Sequence, residues 1–188
     1  MYDRNALHSL IETKALKRGD FTLASGKKSS YFLNCKQVTL DSRGAKLVGE
    51  GILELIEAAG PLPRAVGGMS IGADPIAAAI VTVAGFRDLP LLGFMVRKDV
   101  KDHGATAKQY VEGPVSAGDE VVIVEDVVTT GGSSLLAIER CEAIGLKVRS
   151  VIAIVDRMEG GREAFAARGY GCQSLFTIRD FGIEPPKG

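Results

Sequence analysis

The chain is poor in cysteine, and the three it has, Cys35, Cys141 and Cys172, are odd in number and far apart, with no C-x-x-C pair. This excludes a disulfide frame and a zinc site built on thiolates, and the three read as reduced thiols. Neither sign of charge is in surplus. Lys+Arg and Asp+Glu stand at 23 each, whereas nonspecific grip on nucleic acid needs an excess of basic side chains. No nucleic-acid partner is expected. No uninterrupted apolar run is long enough to span a bilayer. The opening Met1-Tyr2-Asp3-Arg4-Asn5 is polar and lacks the apolar block of a signal peptide, so a cytoplasmic chain with no membrane partner is expected. The G-x-x-x-x-G-K-[ST] loop of nucleoside-triphosphate binders is missing, as are internal repeats and low-complexity tracts.

What is present is a sizeable core in 188 residues, 46% of them hydrophobic, which suggests one domain with a small appendage. The organising stretch is Val121-Val122-Ile123-Val124-Glu125-Asp126-Val127-Val128-Thr129-Thr130-Gly131-Gly132-Ser133-Ser134. Its first four residues are β-branched and apolar on both faces, as in a strand buried within a parallel sheet. Residues 129–134 are all Thr, Gly or Ser, so the backbone can approach a ligand closely and turn its N–H groups toward it. A helical pattern follows, with Ala137, Ile138, Cys141 and Ile144 on one stripe. Strand, small-residue loop and helix N-terminus together form an anion site. The two acids restrict the anion. A bare phosphate would be repelled, but a phosphate carried on a sugar would not, if the carboxylates accept hydrogen bonds from its hydroxyls. The bland alternative is a tight βα turn with two acids there by chance.

Taken in order, residues 5–17 read as an amphipathic helix with Leu7, Leu10, Ile11 and Ala15 on one side, ended by Gly19-Asp20. Residues 21–34 read as two short strands around a small basic turn, which on composition alone is a solvated hairpin tip. Asp41 is placed to cap a helix running to about Ala59, stopped by Gly60-Pro61-Leu62-Pro63. Ala65-Val66-Gly67-Gly68-Met69 is a short buried strand. Ser70-Ile71-Gly72-Ala73-Asp74-Pro75 is a second small-residue loop before a helix, hence a second candidate phosphate cradle. A strand over residues 91–96 runs into a charged segment, residues 97–109, without an apolar stripe. By itself this is a mobile surface loop, and lids over active sites are drawn from such segments. A strand over residues 148–155 ends in Asp156-Arg157, and a short helix, a strand near residues 174–178 and a polar tail complete the chain. Strands alternating with helices predict an α/β fold, a parallel sheet with helices on both faces. Ligands in such sheets sit at the carboxyl ends of the strands. The loop at Ser70, the segment at Arg97, the acid pair with its loop, and Asp156-Arg157 all fall there.

Glu125-Asp126 followed by Thr-Thr-Gly-Gly-Ser resembles the motif by which type I phosphoribosyltransferases hold phosphoribosyl pyrophosphate (PRPP). Phe21-Thr22-Leu23-Ala24-Ser25-Gly26-Lys27-Lys28-Ser29, Arg97-Lys98-Asp99-Val100-Lys101-Asp102-His103-Gly104 and Asp156-Arg157 narrow the resemblance to the orotate phosphoribosyltransferases, over nearly the whole chain. The resemblance implies a flavodoxin-like core over residues 41–188 with a small N-terminal hood over residues 1–40. It implies a homodimer whose lids are shared across the interface, and transfer of the phosphoribosyl group to orotate with magnesium held mainly through the substrate. It makes Glu125 and Asp126 the partners of the ribose hydroxyls. Thr129, Thr130, Gly131, Gly132 and Ser133 would bind the 5′-phosphate, with Val127 and Val128 also among the substrate contacts. Ser70 and Arg97 would serve the pyrophosphate. Lys98, Lys101 and His103 would reach a neighbouring subunit's site, with Lys101 and His103 stabilising the transition state. Arg157 would meet the orotate carboxylate and Phe32 would pack on the base. Taken alone, Phe32 reads as a core aromatic and Arg157 equally as a solvated loop charge.

Two departures stand out. Ala24 stands where some members carry a lysine that touches orotate, so Lys27, or Lys28, takes that part or lies on the surface. Ser70 stands where others have lysine, leaving that loop its backbone N–H groups and a hydroxyl. Three alternatives share some of these features: a purine phosphoribosyltransferase, a PRPP-sensing regulator that binds RNA, and a PRPP synthase, which would need an ATP site not visible here.

Overall fold

In a computed structural model, the structure describes residues 2–22, 28–99 and 109–185. Helix α1 (Arg4–Leu10) begins at Asp3, whose carboxylate accepts from the Ala6 N–H at 2.9 Å. It passes into a π-helical turn, Ile11–Ala15. Leu7, Ile11 and Ala15 are buried, so the apolar stripe read from the sequence persists through the turn. The helix does not reach Gly19-Asp20. Strand β1 (Leu16–Thr22) has already begun, and Gly19, at φ 149°, lies in a bulge between Arg18 and Phe21 where β1 pairs antiparallel with β2 (Lys28–Leu33). Glycine suits such a bulge as well as it suits a helix end. A short helix not foreseen, α2 (Lys36–Thr39), leads to α3 (Ser42–Ala58). Asp41 caps α3 as expected, accepting from the Gly44 N–H at 2.9 Å.

The remaining chain alternates: β3 (Ala65–Met69), α4 (Asp74–Phe86), β4 (Leu92–Val96), β5 (Val111–Glu112), β6 (Glu120–Val128), α5 (Gly132–Ala143), β7 (Lys147–Asp156), α6 (Gly161–Ala166) and β8 (Gly171–Thr177). The sheet order is β5-β4-β3-β6-β7-β8, parallel throughout except for β5, which runs antiparallel at the edge. Leaving that edge aside, the second parallel strand lies outside the first and the rest follow on the other side. This is the flavodoxin-like order. β3 is buried along its whole length, and it packs between two cores. One gathers α1, α3 and α4 with residues such as Val66 and Val124, the other α5 and α6 with Ile123 and Phe165. Alternate residues of β6 thus feed opposite faces, which explains the unbroken apolar run that precedes Glu125. On α5, Ala137, Ile138 and Cys141 are buried as the stripe predicted, but Ile144 is exposed, because the helix has ended at Ala143. Among the described residues no helix is long and apolar enough to cross a membrane.

One feature of register positions the site. β6 pairs with β3 only as far as Gly67 opposite Ile123, whereas its ladder with β7 continues to Val128 opposite Asp156. From Val124 onward β6 therefore has a partner on one side alone. The crevice this opens, where chain order reverses between the first and third parallel strands, is where such sheets bind ligands.

Candidate active site

The acid pair sits in that crevice. Glu125 is buried, and its Oε2 accepts from the Ser134 hydroxyl at 2.9 Å. Asp126 accepts from the Val127 N–H at 2.8 Å. Burial, and then the neighbouring charge of Asp126, push the Glu125 carboxyl up to about 8. Opposite stands the turn after β3. A side chain at Gly72 would come within 3.1 Å of Asp126 Oδ1 and 3.3 Å of Glu125 Oε1, so the two small-residue loops meet at the acids.

Beyond the acids, residues 125–134 line a cavity of ≈ 280 Å³. Gly131 turns the chain into α5 at φ 81°, and no side chain caps the helix there. Its first N–H groups are thus available to an anion. Any side chain at Gly131 would also meet the Phe165 ring at 2.9 Å, so both the left-handed backbone and the packing require glycine. The loop is tied from behind: the Gly161 N–H donates to Thr129 O at 3.0 Å and the Arg157 N–H to Val128 O at 2.9 Å. The turn after β3 likewise enters α4 without a side-chain cap. There the Ser70 hydroxyl donates to Asp74 at 2.9 Å and its N–H to Val96 O at 2.8 Å.

Arg157 is buried. Its Nε donates to the Tyr31 hydroxyl at 2.8 Å and lies 2.8 Å from Glu159 Oε1, and its guanidinium carbon is 4.6 Å from the centre of the Tyr31 ring. Neither of its Nη nitrogens is bonded to a described residue. Tyr31 is buried while its neighbour Phe32 is 40% exposed and packs on Phe21, with ring centres 5.8 Å apart. The pleat of β2 sends the two rings to opposite faces, and it is Tyr31 that reaches the arginine. Arg97, at the end of β4, pairs with Glu112 at 2.8 Å. Its N–H donates to Tyr110 O at 2.7 Å. Arg140 bonds the Arg97 carbonyl and stacks 3.9 Å from the Tyr110 ring centre. The two ends of the charged segment are thereby held together. Lys98 is exposed at its start. Lys101, His103, Lys27 and Ala24 lie outside the described residues.

Sequence reasoning missed Lys36, whose ammonium lies 3.1 Å from Asp126 Oδ2, along with Tyr31 and Glu159. Only Glu159 could have been flagged in advance, by its place two residues after Arg157.

A small-residue loop at a helix N-terminus, an acid pair beside it and a buried arginine limit the comparison to few families, and the matches agree. The model of the phosphoribosyl transferase domain matches residues 37–174. The orotate phosphoribosyltransferase of Rhodopirellula baltica is 56% identical, covering 97% of this chain and 96% of the relative. The chain belongs to the orotate phosphoribosyltransferase family. That of Synechocystis is 45% identical over 94% of this chain and 87% of its own length. The crystal structure of the Mycobacterium tuberculosis orotate phosphoribosyltransferase with PRPP superposes with a TM-score of 0.81, at 33% identity, over 96% of this chain and 99% of that one. The orotate family member is thus an enzyme on a type I phosphoribosyltransferase fold, and this agreement along nearly the full chain favours it over the purine, regulator and synthase alternatives.

Proposed function

We propose that the enzyme transfers the 5-phosphoribosyl group from PRPP to orotate, giving orotidine 5′-phosphate and pyrophosphate, as a step of pyrimidine synthesis. The observation that carries this reading is the meeting of Glu125, Asp126 and the uncapped start of α5 around one cavity. The main-chain N–H groups of residues 129–133 take the 5′-phosphate, and the two acids accept from the ribose hydroxyls. Breaking the C1′–oxygen bond builds positive charge on the ribose ring and negative charge on the leaving pyrophosphate. The carboxylates offset the first, and Arg97 with the lid residues Lys98, Lys101 and His103 offsets the second. Charges fixed beforehand in a closed site act most strongly on such a transition state. Orotate N1 attacks C1′ as the anion, so no side chain need act as general base. Arg157, whose Nη nitrogens bond no described residue, takes the orotate carboxylate end-on.

Among the described residues no cluster of three metal-ligating side chains exists. The acids and the substrate's own oxygens fit magnesium, which binds few protein carboxylates and keeps to phosphate oxygens. Magnesium, when bound, supplies charge to the pyrophosphate as it departs. Residues 1–40 form a hood over the base side and residues 41–188 the core. A homodimer brings each lid to the neighbouring site. The apolar groove of ≈ 630 Å³ between α3 and α4, lined by Leu40, Ala79, Val83 and Phe86, supports such an interface, since Leu40 and Phe86 are 75% and 87% exposed in the single chain. The cytoplasm, where the pathway's soluble intermediates are made, is the proposed location.

The test is the absorbance of orotate on mixing the protein with PRPP and magnesium. Loss of orotate that requires both, and that fails in Lys101→Ala, supports the reaction and the lid role together. Pyrophosphate released with adenine or xanthine, and none with orotate, overturns the assignment.

A further inference from the structure

The acid pair leaves one contact that the reaction as described does not use. Lys36 stands on α2, next to the N-terminal strand pair, and its Nζ lies 3.1 Å from Asp126 Oδ2 across a separation of 90 residues. The contact is not a surface accident. Lys36 follows Cys35, which is fully buried, and precedes Val38 and Thr39, which are buried as well, so the short helix that carries it is anchored in the core. The Asp126 side chain is only 15% exposed, a setting in which an ion pair is screened far less than on the surface. The two oxygens of Asp126 are thus engaged differently: Oδ1 by the Val127 N–H and Oδ2 by Lys36.

We infer that Lys36 is a positioning residue for the ribose. It holds Asp126 as an oriented carboxylate beside Glu125, and so registers the N-terminal segment against the sugar half of the site. This rests on the reading that the acid pair receives the ribose of PRPP. The physical need is clear. Two neighbouring carboxylates in a buried crevice repel each other, and one of them escapes by taking a proton or by rotating away. Once one of the pair has escaped in this way, the other still has to be held where it can accept from a sugar hydroxyl. Ser134 steadies Glu125 through Oε2, and a cation brought from outside the PRPP motif steadies Asp126. The same N-terminal segment sends Tyr31 to Arg157. Segments 126 and 90 residues away in sequence are therefore aligned by residues five apart in the chain.

The experiment compares the wild type with Lys36→Met and Lys36→Arg in the full-length protein. PRPP binding is read by calorimetry, without any base, and steady-state kinetics are read with orotate. Lys36→Met is expected to weaken PRPP binding about tenfold, the loss of one charge-assisted hydrogen bond at about 1.4 kcal/mol per decade. Its KM for orotate stays within about twofold, since the base half-site is untouched. Lys36→Arg, which keeps the charge and a donor, restores most of the loss. Unchanged PRPP binding in Lys36→Met overturns the inference. So does an arginine variant no better than methionine, which would reduce Lys36 to a packing role. Failure of the wild type to consume orotate would count against the substrate reading alone, because the PRPP titration tests Lys36 without it.

Discussion

The cavity proposed to take the phosphate is lined by one unbroken segment, residues 125–134. The side proposed to take the base is drawn from two: Tyr31 on β2, and Arg157 with Glu159 just beyond β7. The difference follows from what each must hold. A phosphate is satisfied by main-chain N–H groups, which a short run of small residues can turn inward, here steadied from behind through Thr129 O and Val128 O. A planar anionic base needs a cation aimed in a plane. A long arginine side chain has rotamer freedom to lose, so its aim depends on partners from elsewhere. Here the Nε edge is held by Tyr31 and Glu159, and the Nη nitrogens bond no described residue. One half of the site is a local conformation and the other is a tertiary agreement.

That contrast can be tested by breaking each half separately. The largest effect is expected for Gly131→Val. A left-handed backbone costs a branched residue about 1–2 kcal/mol or more, and the added atoms meet Phe165. PRPP binding, measured by calorimetry, should fall at least about a hundredfold, at about 1.4 kcal/mol per decade, and the melting temperature should drop with it. Next comes Asp126→Asn, for which kcat should fall by about a hundredfold, the scale seen when one preorganised electrostatic partner is removed from a transition state. Stopped assays of orotidine 5′-phosphate would show it, while the protein stays folded by circular dichroism.

Glu125→Gln separates stability from catalysis. The folded-state pKa of Glu125 lies above its ordinary value of 4.5, at about 8. A raised carboxyl pKa means that the fold prefers the protonated form. Its contribution is therefore fully present below pH 4.5 and is lost as pH rises through about 8. Melting curves taken from pH 5 to pH 9 should show the wild type losing stability toward the alkaline end, and Glu125→Gln should flatten that slope even as it lowers activity. An equally steep slope in the variant would assign the pH dependence to other groups.

On the base side, Arg157→Lys removes the planar fork and the Nε anchor together. Its KM for orotate should rise about tenfold or more, with PRPP binding within about twofold of wild type. Glu159→Gln keeps the shape and loses the charge that aims Arg157. A rise of about threefold in the KM for orotate is expected, in line with roughly 0.7 kcal/mol for one ion-paired hydrogen bond that is partly retained. Should Glu159→Gln impair PRPP binding instead, the two halves would not be as independent as their construction suggests.

How far each half was legible follows from the same distinction. The acid pair, the Thr-Thr-Gly-Gly-Ser turn and the strand and helix around it are contiguous, so residue type and order were enough to place them. The cap at Asp41 and strand β3 were readable for the same reason. The end of the first helix was misread because glycine serves a β-bulge as readily as a helix stop. α2 and β5 escaped notice because they are too short to carry a hydrophobic period. Tyr31 escaped notice because the phase of the pleat, which turns it inward beside Phe32, is set only when β2 pairs with β1 and packs on the core.

The sequence by itself determined the acid pair and the small-residue loop that follows it, the alternation of strands and helices, and the family to which the chain belongs. These depend on local backbone preference and on the periodicity of burial. The tertiary structure alone decided that β6 parts from β3 at Ile123, that Lys36 meets Asp126, and that Tyr31 meets Arg157. Those contacts join distant segments, and their geometry is fixed by sheet register and helix packing, which no short stretch of residues encodes.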